Sequence, residues 1–138
     1  LQNKPLSIFG DGEQKRAFSY VRDIINPIAT SPMNEKALNQ VFNIGADYPC
    51  TVNDLAAEVL SVMKSKDYPI KHLEARNEVR IAYSDHSKAY EVFGSPPNTP
   101  LNSGLAKMYE WVQQVGGRTT PRFKNIEIEK NLPPFWTV

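Results

Sequence analysis

Cys50, His72 and His86 are the side chains of this 138-residue chain with ready nucleophilic or proton-transfer chemistry. The two histidines are far apart in sequence and neither sits in a nucleophile-elbow setting with a serine or cysteine, so both read as structural. Cys50 stands just before a helix start, where the dipole favours thiolate, but a buried and inert thiol is the plainer expectation. There is no G-x-G-x-x-G, Walker loop, His-Glu-x-x-His or cysteine pair, so no recognised spacing cradles a dinucleotide pyrophosphate or holds zinc. The informative stretch is residues 8–23. A glycine turn, Gly10-Asp11-Gly12, leads to Arg16 as it enters a strand and then to Asp23 where a helix begins.

Those residues need elements to position them. Leu6-Ser7-Ile8-Phe9 reads as a first strand and Ala17-Phe18-Ser19-Tyr20-Val21 as a second, joined in a hairpin-like entry by glycines that tolerate positive φ. Asp23 is placed to cap a short or bent helix carrying Ile24, Ile25 and Ile28, with Pro27 near its first turn. Val41-Phe42-Asn43-Ile44-Gly45 has the compact apolar form of a strand buried on both faces of a parallel sheet. Thr51 and Asp54 then open a helix whose Val52, Leu55, Ala56, Val59, Leu60 and Met63 share one face. Residues 69–74 and 80–83 read as further strands, and Ser84-Asp85 caps a short helix ending at Gly94. A last amphipathic helix uses Leu101, Leu105, Met108, Val112 and Val115 and closes at Gly116-Gly117.

Sixteen Lys+Arg against 15 Asp+Glu leave a formal charge of +1, with 41% hydrophobic and 22% charged residues. Such a balance suits one globular domain and excludes disorder over most of the chain. It also lacks the footprint of a dedicated duplex-DNA binder, so nucleic acid is not the expected partner. No stretch approaches the roughly 18 apolar residues of a membrane helix, so no membrane span is expected. The single cysteine and the absence of a signal-like start make the cytoplasm the expected compartment. A start at Leu1 rather than Met reads as part of something longer.

Residues 8–23 resemble the G-D-G-x-Q-x-R-x-F-x-Y-V-x-D signature of the extended short-chain dehydrogenase/reductases, within the NAD-dependent epimerase/dehydratase family. Three later stretches agree in order. Val41-Phe42-Asn43-Ile44-Gly45 with Thr51-Val52-Asn53-Asp54-Leu55 is similar to the family's N-I-G strand and following helix. Arg76-Asn77-Glu78-Val79 through Ser84-Asp85-His86-Ser87-Lys88-Ala89 is similar to R-x-G-D/E-V followed by A-D-x-S-K-A. Leu101, Gly104, Leu105, Met108 and Trp111 match the final helix. Ala17 departs from the Asp or Glu of many relatives and Asn77 replaces the glycine; the spacing from Arg76 to Asp85 is also about one residue short, which keeps Arg80 as a substitute for Arg76.

The resemblance implies an α/β fold: a small mixed substrate-binding domain over residues 1–117, with one strand–helix unit belonging to an incomplete Rossmann-like sheet. It implies that Arg16 and Arg76 grip the two phosphates of a UDP- or dTDP-sugar, that backbone groups at Ser7 and Phe9 meet the base, and that Glu78 and Tyr83 line the same site. The NAD loop and the Tyr-x-x-x-Lys pair belong to a missing N-terminal Rossmann half, so this chain alone is expected to hold no NAD and to carry no catalytic residue. The implied activity is that of a sugar 4-epimerase, with a 4,6-dehydratase, a decarboxylase or a non-catalytic binding module as alternatives. Binding energy spent on base and diphosphate, remote from the reacting sugar carbon, leaves the sugar free to turn. An exposed edge strand makes a homo-oligomer a further expectation. Residues 118–138 read as an irregular Pro/aromatic tail, with Phe123, Phe135 and Trp136 among Arg118, Arg122, Lys124 and Lys130, and no family motif is assigned to them.

Overall fold

The computed structural model describes residues 4–65, 67–118 and 130. The aromatic and basic positions expected to mark the tail, Arg118 and Lys130 excepted, lie outside the described residues. The chain forms a small mixed α/β unit in the order β1 (Leu6–Phe9), β2 (Lys15–Ala17), α1 (Val21–Thr30), β3 (Pro49–Thr51), α2 (Val52–Val62), β4 (Ile70–Leu73), β5 (Ile81–Ala82), α3 (Ser87–Phe93) and α4 (Leu101–Val115). β1 pairs in parallel with β4, while β2 is central between antiparallel β3 and parallel β5.

The expected hairpin does not form: β1 and β2 belong to different sheets. The glycine turn instead runs to the start of α2, where Asn53 N–H donates to Gly12 O at 3.1 Å and Val52 N–H to Gln14 O at 3.2 Å. β2 is also earlier than the alternation of Phe18 and Tyr20 suggests, because its ladder partners reach only from Lys15 to Ala17. Tyr20, not Asp23, precedes α1. Both Asp23 carboxylate oxygens accept from Thr99, its N–H and its hydroxyl each at 2.8 Å, tying α1 to the loop before α4.

The expected strand at residues 41–45 is not one. A strand buried on both faces needs a ladder on its edges and cover on its faces. Among the described residues no strand lies beside it; Val41 is 83% exposed and its carbonyl accepts from Lys88 Nζ at 3.0 Å. α2, by contrast, starts where its chemistry dictates. Thr51 Oγ1 accepts from Asp54 N–H and Asp54 Oδ2 accepts from Thr51 N–H, a complete capping box.

The core is Ile8 of β1, Ala56 and Leu60 of α2 and Ala89 of α3. α2 packs on α4, and Val59, Leu60, Met63, Leu105, Met108 and Val112 line an apolar groove of about 430 Å³ between them and β1. No helix among the described residues is long and apolar enough to cross a membrane.

Candidate functional site

Strand geometry first decides what β1 can offer. Its alternate residues bond to β4, with Leu6 N–H donating to Pro69 O and Gly10 N–H to Leu73 O, each at 3.0 Å. By the period of two, the backbone groups of Ser7 and Phe9 point to the opposite edge. No described strand covers that edge. Gln14 Nε2 donates to Phe9 O there at 3.0 Å. A strand edge of this kind presents N–H and C=O groups that can match a planar amide-like ring.

The arginines gather beside it. The Arg76 guanidinium lies over the Phe9 ring, 3.2 Å from its centroid. Arg76 O accepts from Glu78 N–H at 3.0 Å, and this turn carries Glu78 to Arg16, whose Nη2 meets Glu78 Oε2 at 3.0 Å. Arg16 Nη1 also donates to Lys15 O at 2.7 Å. Arg80 pairs with Asp11 Oδ2 at 3.5 Å, and Arg16 Nη1 lies 3.5 Å from Arg80 O. Phe9, Arg16, Arg76 and Glu78 therefore form one cluster with Arg80 at its rim, and Ser7 sits two residues along the same strand. Tyr83 follows β5, 59% exposed, and takes no part in the ion pairs or the stack.

Three contacts that the sequence motifs do not announce shape this cluster. His72 Nδ1 lies 2.8 Å from Gly10 O, and because a carbonyl only accepts, the imidazole donates there. The Glu13 N–H donates to Asp11 Oδ1 at 2.9 Å, which holds the Asp11 carboxyl below its usual range. Asn53 spans the glycine turn from α2. The His72 and Asn53 contacts act across 40 or more residues of chain, which no local pattern announces.

Outside the cluster, His86 is buried, as a structural histidine should be, with two partners. Its Nδ1 faces Asp47 Oδ1 at 2.6 Å and its Nε2 faces Ser84 Oγ at 2.9 Å. Tyr90 O–H donates to Asp47 Oδ2 at 2.6 Å. The network pins loop 43–48 to α3, and a Cβ on Gly45 would stand 3.2 Å from the imidazole. Hydrogen bonds from His86 and then Tyr90 depress the Asp47 pKa, while the same carboxylate and burial push the Tyr90 phenol up to about 12. A carboxyl depressed on folding contributes stability that is complete above its unfolded pKa of about 3.9 and lost as pH falls through the lower folded value. Asp47→Asn is therefore expected to flatten the fall in melting temperature between pH 5 and pH 2.5, measured by thermal circular dichroism. An unchanged acid limb would place the sensitivity elsewhere. Cys50 lies in β3, and burial with Asp54 and Glu58 raises its pKa, the reverse of an activated thiolate.

Among the described residues no cluster of His, Cys, Asp and Glu has the makings of a metal site. The chain matches no family model. It is 30% identical over 107 residues to GDP-mannose 3,5-epimerase of Arabidopsis thaliana, covering 78% of this chain and 28% of that protein. It is 29% identical to UDP-glucuronic acid decarboxylase 1 of Danio rerio, covering 96% of this chain and 32% of that one. The latter match extends past residue 118, where the sequence motifs give no counterpart. UDP-glucuronic acid 4-epimerase of Bacillus cereus, solved with UDP-glucuronic acid and NAD, superposes with a TM-score of 0.75 at 28% identity, over 83% of this chain and 37% of that structure. The chain thus spans about a third of the length of the relatives it matches. Its homologues and structural neighbours are members of the NAD-dependent epimerase/dehydratase family of extended short-chain dehydrogenase/reductases, and its fold is that of their C-terminal portion.

Proposed function

We propose that this chain is the nucleotide-sugar-binding part of an NAD-dependent enzyme that converts a UDP-sugar, a sugar 4-epimerase in the first instance. The observation that carries the reading is the joined cluster of the Ser7–Phe9 edge, the Arg76 guanidinium over Phe9 and the Arg16–Glu78 pair. The base lies against the Ser7 and Phe9 backbone, where an imide ring matches one N–H and one C=O. The diphosphate takes Arg16 together with Arg76 or Arg80, since guanidinium groups bond phosphate oxygens in a fork. Glu78 pairs with Arg16 as a carboxylate stand-in for phosphate, and it turns to the ribose hydroxyls when the diphosphate displaces it. Tyr83, facing solvent past β5, borders the sugar.

NAD does not fit the one helix start that adjoins a glycine turn. A pyrophosphate there needs free amides. The first three of α2 are already bonded, Val52 N–H to Gln14 O, Asn53 N–H to Gly12 O and Asp54 N–H to Thr51 Oγ1. The cofactor, its hydride chemistry and the catalytic groups belong to an N-terminal Rossmann half. The apolar stripe of Val21, Ile25 and Ile28 on α1, together with Val41, all at least half exposed, is the face that half covers. A UDP-glucuronate decarboxylase is the second reading, favoured by the match to such an enzyme over 96% of the chain.

Titration calorimetry of UDP, dTDP and uridine into the chain tests the binding role. UDP is expected to bind, and more tightly than uridine because of the arginines. Equal affinities for UDP and uridine would remove the diphosphate grip from this account.

A further inference from the structure

We propose that Asn53, at the second position of α2, is a positioning residue that fixes the turn between Phe9 and Arg16, and so sets the distance between the base and diphosphate subsites. The inference rests on the nucleotide reading above. On that reading the turn holds two things in register: Phe9, the last residue of β1, on the base side, and Arg16, seven residues on, on the diphosphate side. Four residues of turn separate β1 from Gln14, two of them glycines at positive φ, so the loop has little stiffness of its own.

Asn53 supplies that stiffness. Its Nδ2 donates to Asp11 O at 3.0 Å and to Glu13 Oε1 at 2.8 Å, and its own N–H donates to Gly12 O at 3.1 Å. Three consecutive residues of the turn are thereby held by one residue of the helix. Because both side-chain partners are pure acceptors, only an amide NH₂ with two donors satisfies them, and the orientation of the carboxamide follows. Its oxygen then lies against Gly12, where a Cβ would stand 2.0 Å from Asn53 Oδ1, so the buried glycine and the asparagine require one another. The helix is itself anchored by the Thr51–Asp54 capping box and by Leu60 in the core, so the pin is fixed to the rigid part of the molecule.

Asn53→Ala tests this through two readouts. The first is amide hydrogen exchange at Glu13, whose N–H donates to Asp11 Oδ1 within the turn, and at position 53, whose N–H donates to Gly12 O. Loss of two hydrogen bonds, one of them to a carboxylate, is expected to speed it by about tenfold or more. The second is the ratio of UDP to uridine affinity. UDP must engage both subsites, so its binding is expected to weaken by about tenfold while uridine, which lacks the diphosphate, is unchanged. A purely structural residue would weaken both ligands by the same factor, and that result, or unchanged exchange, overturns the proposal. If the wild-type chain binds no UDP, the nucleotide reading fails, and the exchange result still decides whether Asn53 pins the turn. Should Asn53→Ala not fold, Glu13→Ala removes one of the same bonds from the exposed side. Glu13→Gln keeps the acceptor and is expected to restore the wild-type ratio, and failure to do so would also count against the pin.

Discussion

Replacing Arg16 by alanine is expected to weaken UDP binding by about ten- to a hundredfold, the loss that accompanies removal of a charge-assisted hydrogen-bonding pair. Two causes act together. The fork that receives phosphate oxygens disappears, and Glu78, now without the guanidinium 3.0 Å away, is left as an uncompensated carboxylate beside an incoming anion. Arg16→Lys is expected to restore only part of the affinity, because an ammonium neutralises charge without matching the planar geometry. Uridine, which carries no phosphate, should bind both variants as it binds the wild type. Calorimetry with the two ligands checks this directly. Equal losses for UDP and uridine would mean that Arg16 supports the fold of β2 rather than the diphosphate.

Leu60→Ala is expected to cost about 2–5 kcal/mol of stability, by lost transfer energy and by the cavity left behind. Leu60 is 6% exposed and lines the groove in which α2 meets α4. Few other side chains are as deeply placed, since the described core also holds only Ile8, Ala56 and Ala89. A chain with so small a core has little reserve, as total stabilities of single domains are only about 5–15 kcal/mol. Urea unfolding followed by circular dichroism should show the midpoint falling or the transition vanishing. A change under about 1 kcal/mol would indicate that contacts other than those of the α2–α4 groove carry the fold.

Local chemistry made much of this legible from the sequence. The Thr51–Asp54 capping box and the spacing of Val52 to Met63 specify α2 without reference to anything distant, and the structure has them so. Helix ends at Gly94 and Gly116 follow for the same reason. Elements that depend on partners were less legible. Val41-Phe42-Asn43-Ile44-Gly45 has the composition of a buried parallel strand, yet a strand is defined by its ladder, and none of the described strands supplies one. Residues 17–21 alternate like a strand, but the length of β3 limits the ladder to Lys15–Ala17. Within the site, the resemblance pointed to Arg16, Arg76 and Glu78, which the structure gathers with Phe9. It carried nothing about Asn53, His72 or the Arg76 stack, whose partners lie 40 or more residues away along the chain.

The most direct test is to titrate UDP into the isotopically labelled chain and map the amide chemical shifts. Perturbations at Ser7 to Arg16 and Arg76 to Arg80 are the predicted result, with the Phe9 and Gly12 amides among the most affected. Perturbations confined to Trp111, Arg118 and the residues beyond, or none at millimolar UDP, would contradict the claim that the nucleotide grip resides in the β1–β2 turn and its arginines.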